Sequence, residues 1–349
     1  RREADVIEEI LRIYGYNKIA FPEGIRSSLA HFPQTDPDSL QNKLSDLLTG
    51  FGFSEIMNNS LTRASYAEKS GAFDAANTVL LENPLSQDLN AMRQTLLFGG
   101  LENIAFNQNR KITDIRLFEF GNVYSIDPGL KNEEPMARYH EEKRLALFMC
   151  GMRSSESWET EMRPVDFFLL KSYVLNLFRK LGIGEDAFET RDARHEIFSE
   201  GLSYFLDGQE VVSYGVISRK LLNTFDIRQE VLYADFSWEM IFAIAGRAGI
   251  ASIPVPRFPE VRRDLALLLD KGVTYGKIRN LAFRTEPVLL RSVGLFDVYE
   301  GEGIGKDKKS YAVSFIFRDD ERTLTDKVID KTMKRLVDAF EKELNASIR

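Results

Sequence analysis

Three carboxylates near the start of the chain form the residue group whose spacing points most directly to chemistry. Asp5, Glu8 and Glu9 are spaced i, i+3, i+4, which places their side chains on one face of a helix. Hard oxygen ligands of this kind suit Mg²⁺, with water or a second protein chain completing the octahedron. A structural alternative stays open, because acidic residues also stabilise the first turns of helices and Glu8 can pair with Arg12. The spacing therefore indicates a candidate metal-ligand set.

Other motifs that carry enzyme chemistry are largely missing from the sequence. His31, His140 and His195 are scattered, and no Gly-x-Ser-x-Gly segment marks a nucleophile. The glycine-rich segment Gly301–Lys306 lacks the spacing and the Ser or Thr of a phosphate-binding loop. It lies between two predicted strands, so we interpret it as a hairpin loop.

The composition restricts the class of protein. The 349 residues include 46 basic and 53 acidic side chains, giving a net charge of −7, and 44% of them are hydrophobic. These values are typical of a globular chain of two or three domains and exclude a disordered tail or a disulfide scaffold. The single cysteine, Cys150, indicates a reducing compartment, and no apolar run reaches the ~20 residues that cross a bilayer. We expect a cytoplasmic protein, and a fragment of a longer one because the chain starts without Met inside a predicted helix.

Hydrophobic periodicity predicts the elements of the first two thirds of the chain. Helices are predicted over Glu3–Tyr14, from Asp36 or Ser39 to Leu48, and over Phe167–Leu181. The apolar stripe expected for the last of these is Phe168, Leu169, Tyr173, Leu177 and Phe178. Strand-like runs are Ile115–Phe120, Val123–Ile126, Arg144–Cys150, Gly201–Leu206, Val211–Ile217 and Val231–Ser237. Short turns join them, among them the hairpin signal Asp207-Gly208, so we predict a mainly antiparallel sheet.

A Pro-rich segment, Pro254–Pro259, precedes a separate C-terminal pattern. It reads strand, helix, strand, strand, long helix and a short final strand, which is the ferredoxin-like βαββαβ order. The segment from Pro254 to Arg349 carries 19 basic and 16 acidic residues, whereas the rest of the chain has a net charge of −10. The contrast is compatible with a localised RNA contact near the C-terminus, and equally with two domains that simply differ in charge.

Several segments resemble the beta subunits of bacterial phenylalanyl-tRNA synthetase. Ala4–Asn17 resembles the end of their B5 domain. The segments that resemble the central core are Asn83–Ser86, Met92–Leu97 and Leu117–Tyr124, and those that resemble the anticodon-binding domain are Arg262–Ala266, Leu295–Tyr299 and Arg322–Asp326. The resemblance implies an α+β chain: residues 1–20 end a B5 domain, 21–38 form a linker, 39–253 form a class II synthetase-like antiparallel core without catalytic residues, and 254–349 form a ferredoxin-fold anticodon-binding domain.

The same resemblance implies a role in a larger enzyme. The family's (αβ)₂ heterotetramer uses ATP to charge tRNA(Phe) with phenylalanine at the active site of its alpha subunit. Asp5, Glu8 and Glu9 match positions associated with Mg²⁺ at the boundary with alpha, and a further ligand of the family lies upstream of Arg1. We therefore expect a weak or empty metal site in this fragment, no membrane association, and no activity from the fragment alone.

A class II catalytic domain needs arginines that hold the phosphates of ATP. Where the family resemblance places the Arg-x-Glu strand, this chain has Leu117-Phe118-Glu119, and the glycine-rich motif that ends in arginine is missing. Arg116 and Arg219 keep the question open. Without positioned guanidinium groups the phosphate charge lacks stabilisation, so we predict a noncatalytic core.

The resemblance and strand alternation together suggest RNA contacts at Arg263, Ser314 and Arg318. They require that Val313, Phe315 and Phe317 turn towards the helices of the C-terminal domain. For Arg318, a solvated charge at the end of a strand is an equal alternative. Two other functions stay open from the sequence: a self-sufficient ligase with an atypical ATP site, and a ferredoxin-like regulatory protein that binds a small ligand.

Overall fold

A computed structural model of the chain describes residues 2–20, 36–130, 135–193, 196–247, 255–301, 303–305 and 307–348. Most of the predicted linker, the boundary between 253 and 254, and the residues His31, His195 and Lys306 lie outside these ranges. The chain divides into two units, Arg1–Ile250 and Ala251–Arg349. The finer domain boundaries predicted from the sequence stay predictions.

The first unit contains a mixture of helices and strands. In chain order they are α1 (Glu3–Tyr14), α2 (Pro37–Gly50), β1 (Ser54–Glu55), β2 (Leu61–Thr62), α3 (Ser65–Ser70), β3 (Ala91–Met92), α4 (Leu97–Gln108), β4 (Ile115–Ile126), β5 (Tyr139–Cys150), α5 (Phe167–Lys180), β6 (Glu189–Asp192), β7 (Phe198–Leu206), β8 (Gln209–Ile217), α6 (Arg219–Thr224), β9 (Val231–Ser237) and α7 (Trp238–Arg247).

One large sheet organises this unit. Within the described ranges it has seven strands in the order β1-β4-β5-β9-β8-β7-β6, and only the short β1 runs parallel to its neighbour. The prediction of a mainly antiparallel sheet is therefore confirmed. Apolar side chains of α2, α5 and α7 pack on one face, and those of α3, α4 and α6 pack on the other. The sheet is therefore buried on both faces between two layers of helices.

Two expectations for this unit need correction. The two strands predicted over Ile115–Ile126 are one, because Gly121 and Asn122 continue the pairing with β5. Phe168 is 76% exposed and lies outside the core, since Leu170 and Val174 occupy the inward positions of α5. The predicted hairpin is confirmed: Asp207 and Gly208 both have positive φ, as a two-residue turn between β7 and β8 requires.

Helix α1 has the predicted amphipathic pattern, yet its apolar side is exposed. None of its residues is buried, and Ile10 and Ile13 are 60% and 86% exposed. Among the residues that can be described, no helix is both long and apolar enough to span a membrane.

The second unit has the predicted order of elements. They are β10 (Val261–Asp270), α8 (Tyr275–Thr285), β11 (Leu290–Tyr299), β12 (Lys308–Phe317), α9 (Asp326–Leu344) and β13 (Ser347–Ile348). Its antiparallel sheet has the order β11-β12-β10-β13, and apolar residues of α8 and α9 pack on one side of it. The ferredoxin-like prediction is confirmed.

Candidate nucleic-acid interface

The alternating side chains of β12 distinguish a buried and an open side of the C-terminal sheet. Val313, Phe315 and Phe317 are fully buried with residues of α8 and α9, as the alternation predicts. Side chains at the intervening positions therefore point to the opposite side, which we call the open face. By the pairing register it is formed by Arg262, Asp264, Ala266, Gly294, Ala312, Ser314 and Ile316.

Ser314 lies near the centre of the open face. Its Oγ donates a hydrogen bond to the carbonyl oxygen of Gly294 at 3.3 Å. A Cβ added at Gly294 would lie 2.8 Å from that Oγ, so glycine is what allows the contact. Ser314 pairs with Asp264, and beyond it on the same face Ala312 pairs with Ala266.

Arg263 does not share this face with Ser314. It pairs with Phe315, and directly paired residues of antiparallel strands point to the same side of a sheet, which here is the helix side. Its guanidinium forms an ion pair with Asp326, the first residue of α9, at 3.0 Å. Arg263 and Ser314 thus point to opposite sides of the sheet, and an RNA contact at either residue stays a prediction.

Arg318 follows β12 by one residue and continues the alternation of the open face. Its side chain is 20% exposed and forms ion pairs of 2.9 Å with both Glu260 and Asp320. These carboxylates offset its charge. Any phosphate that reached Arg318 would therefore compete with two anions already in place.

The structure adds an aromatic group that the sequence reasoning did not select. Phe296 lies at an irregularity in β11 between Leu295 and Asp297 and is 55% exposed. The guanidinium of Arg262, an open-face residue, lies 5.4 Å from the centre of the Phe296 ring. A sequence signal existed, because Leu295 and Phe296 are adjacent large apolar residues that a regular strand cannot both bury. An exposed ring with an arginine beside it is suited to stacking on a base.

In the first unit, the strand at the position of the family's Arg-x-Glu motif carries a structural hydrogen-bond network. Glu119 is fully buried and its Oε1 lies 2.7 Å from Nη1 of Arg93. The backbone N–H and the side-chain amide of Asn58 donate to the two carboxylate oxygens at 3.1 and 2.7 Å. Gly121 lets Arg93 pass, since a Cβ there would lie 2.2 Å from Nη2. Arg93 is the residue that the sequence reasoning missed within the Met92–Leu97 segment.

The two arginines that left catalysis open lie on opposite sides of the large sheet. Arg116 pairs with Met149 on the side covered by α2, α5 and α7, and donates to the carbonyl oxygens of Phe51 and Arg153. Arg219 begins α6, which packs on the other side. The geometry does not allow them to hold one triphosphate between them.

The three N-terminal carboxylates lie on α1 and are exposed. Asp5 accepts a hydrogen bond from the backbone N–H of Arg2 at 3.0 Å, and Glu9 forms an ion pair with Arg12 at 3.1 Å. In the described part of the chain, no group of three His, Cys, Asp or Glu side chains is placed to hold a metal ion. On its own, this set does not make a complete Mg²⁺ site.

Two sequence families match the chain. The phenylalanyl tRNA synthetase beta chain CLM domain matches residues 26–238, and the ferredoxin-fold anticodon binding domain matches residues 256–349. Phenylalanine–tRNA ligase beta subunits of Bacteroides fragilis and Bacteroides thetaiotaomicron are 44% and 46% identical over the whole chain, which covers 43% of each. That of Thermotoga maritima is 30% identical over 98% of the chain and 42% of its own length.

The chain thus spans less than half the length of these curated relatives. Among solved structures, two of pyrrolysyl-tRNA synthetase from Desulfitobacterium hafniense are each 16% identical to it. They cover 60% of this chain and 69% and 70% of their own, with TM-scores of 0.44 and 0.45.

Proposed function

We propose a function from the premise that this chain belongs to the phenylalanyl-tRNA synthetase beta chain family, whose CLM domain matches residues 26–238. It is the C-terminal part of a phenylalanine–tRNA ligase beta subunit, a cytoplasmic protein that binds tRNA(Phe) and the alpha subunit without catalysing adenylate formation itself. The match of both family domains, in order, to nearly the whole chain is the observation that carries this proposal.

The arrangement of charged residues in the large sheet supports a noncatalytic core of the class II type. Adenylate formation needs preorganised positive groups at the phosphates of ATP. Glu119 is satisfied within the protein, and Arg116 and Arg219 lie on opposite faces. ATP is used at the alpha subunit in this proposal.

The partner is the alpha subunit, in an (αβ)₂ heterotetramer. The exposed apolar side of α1 supports a protein contact there, because an apolar stripe of this width is normally covered. Mg²⁺ belongs to that boundary: Asp5, Glu8 and Glu9 supply oxygen ligands only if another segment or chain completes the set.

The open face of the C-terminal sheet is the proposed tRNA surface. Ser314 and Arg318 lie on it, and Phe296 adds a ring that stacks on an unpaired base. Arg263 lies on the opposite side of the sheet, paired with Asp326. There it contacts RNA only if the RNA backbone passes around the edge of the sheet.

The test uses the chain assembled with its alpha subunit and a tRNA(Phe) transcript, with affinity measured from low to high salt. Arg318→Ala is expected to lower the affinity and to reduce the slope of log affinity against log salt by about one if Arg318 contacts a phosphate. An unchanged affinity and slope would remove Arg318 from the interface. Failure of the unmodified complex to bind tRNA(Phe) would overturn the proposed function itself.

A further inference from the structure

A polar cavity lies on the first unit, on the side of the sheet covered by α4 and α6. It has a volume of about 730 Å³ and is formed by the end of α4, the short α6 and the segment that leads to β9. The residues that line it are Gln108, Asn109, Arg219, Asn223, Asp226, Ile227 and Arg228. No step of the proposed function uses this cavity.

The lining is rich in hydrogen-bond donors. Three amides and two guanidinium groups face a single carboxylate, that of Asp226. Nη1 of Arg219 donates to the backbone oxygen of Arg228 at 2.5 Å, which fixes one guanidinium at the rim. Within the described residues, the guanidinium of Arg228 is exposed and has no hydrogen-bond or ion-pair partner. Two guanidinium groups against one carboxylate leave the lining with a surplus of positive charge, which favours an anion.

The size and surroundings of the cavity favour a nucleotide chain over a single small anion. A volume of about 730 Å³ is far larger than one phosphate group. Amides at its rim, those of Asn109 and Asn223, suit ribose hydroxyls as well as phosphate oxygens. Near the end of α4, two residues before Gln108, Phe106 is 55% exposed, and the guanidinium of Arg110 lies 3.3 Å from its ring centre. Basic groups interleaved with an exposed ring are typical of surfaces that follow a nucleic-acid backbone.

We propose that this cavity binds the ribose-phosphate backbone of the tRNA at a point separate from the anticodon-binding sheet. The inference rests on the proposed function, because it presumes that the RNA is tRNA. It assigns a role to a unit whose overall charge is negative, so only a local cluster of donors can attract RNA there. Arg228 supplies the free charge, and Arg219 is held beside it.

The test is binding of a tRNA(Phe) transcript to the full chain assembled with its alpha subunit, measured across a range of KCl concentrations. Arg228→Gln is expected to lower the affinity by about threefold to fivefold and the salt slope by about one. Arg228→Lys keeps the charge and should retain most of the slope, which a purely structural role would not predict. Arg179→Gln is the matched control: Arg179 is exposed at the end of α5, on the other face of the sheet, and should bind as the unmodified chain does.

Two results would overturn the inference. One is an affinity and slope that are the same for Arg228→Gln and Arg179→Gln. The other is binding of pyrophosphate or ATP that is weakened by Arg228→Gln, while the affinity for tRNA is unchanged by the same substitution. Both leave the proposed function intact, because the unmodified complex still binds tRNA; loss of that binding is a failure of the proposed function instead.

Discussion

Among single residues, Glu119 has the residue type of a catalytic motif but forms part of a buried structural network. Glu119 lies within β4, at the position where a class II catalytic domain has a glutamate that helps bind ATP, but both of its carboxylate oxygens accept hydrogen bonds from Arg93 and Asn58. Removing one member of a buried pair leaves an uncompensated charge, whereas exposed pairs contribute little. The stability of the core therefore depends on residues that the family motifs include.

Glu119→Ala is expected to lower the free energy of unfolding by about 3–5 kcal/mol, because Arg93 is left buried and unpaired. Urea denaturation of the complete chain measures the change. Glu189→Ala removes an exposed ion pair with Arg191 and should change the stability by less than about 1 kcal/mol. Equal effects of the two substitutions would show that the Glu119 network does not stabilise the core.

Cys150 offers a test of burial at the level of one thiol. Burial raises its pKa to about 12 from an ordinary value near 9. At pH 9 the folded chain therefore holds the unreactive thiol, while the unfolded chain holds a large thiolate fraction. Iodoacetamide should modify Cys150 slowly in the native chain and rapidly in denaturant; equal rates would contradict the burial. The same difference in pKa means that stability falls as the pH rises from about 9 towards 12, because only the unfolded state loses the proton.

At the scale of elements, the order of the ferredoxin-like unit could be predicted because each of its elements has a clear period. The helix α9 and the strands β10, β11 and β12 lie where alternation and helical spacing place them. Faces were harder. Alternation along β12 gives the side of Ser314, but the side of Arg263 depends on how β10 pairs with it, and a slip of one residue reverses every side chain.

Irregular strands escape prediction for the same reason. The adjacent apolar residues Leu295 and Phe296 indicate that one of them is exposed, but the irregular pairing of β11 with β12 decides which one. Likewise, the contact between Arg93 and Glu119 joins residues 26 positions apart, and it needs the space left by Gly121. Local sequence patterns do not predict such a contact. Local elements follow from local sequence, whereas sites assembled by register require the fold.

Phe296→Ala is expected to weaken tRNA(Phe) binding by roughly 1–3 kcal/mol, the range for loss of one stacked base, at every salt concentration. The salt slope should not change, because no charge is removed. Val298→Ala is the control: Val298 is 49% exposed in the same strand but pairs with Tyr311 on the helix side. If the two substitutions have the same effect, the open face is not the RNA surface.

For the whole molecule, the main feature is an exposed apolar surface on α1 of the kind that a partner normally covers. The apolar side of α1 is exposed, and among the residues that the structure describes none joins Asp5, Glu8 and Glu9 to form a three-ligand metal site. Both observations are explained if α1 lies at a boundary with the alpha subunit.

Ile10→Asp is expected to reduce co-purification with the alpha subunit, since it places a charge on the contact without disturbing the core. A pull-down with tagged alpha measures the change. Lys180→Asp, at an exposed end of α5, is the control and should leave assembly as it was. Assembly that is unaffected by Ile10→Asp would move the partner surface elsewhere.

We propose that this chain binds tRNA and a partner subunit and does not itself activate an amino acid. ATP–pyrophosphate exchange in the presence of phenylalanine, measured with the chain alone and after assembly with the alpha subunit, tests it most directly. We predict no exchange above background for the chain alone and exchange in the assembled enzyme. Exchange by the chain alone that is lost in Arg116→Ala or Arg219→Ala would contradict the account.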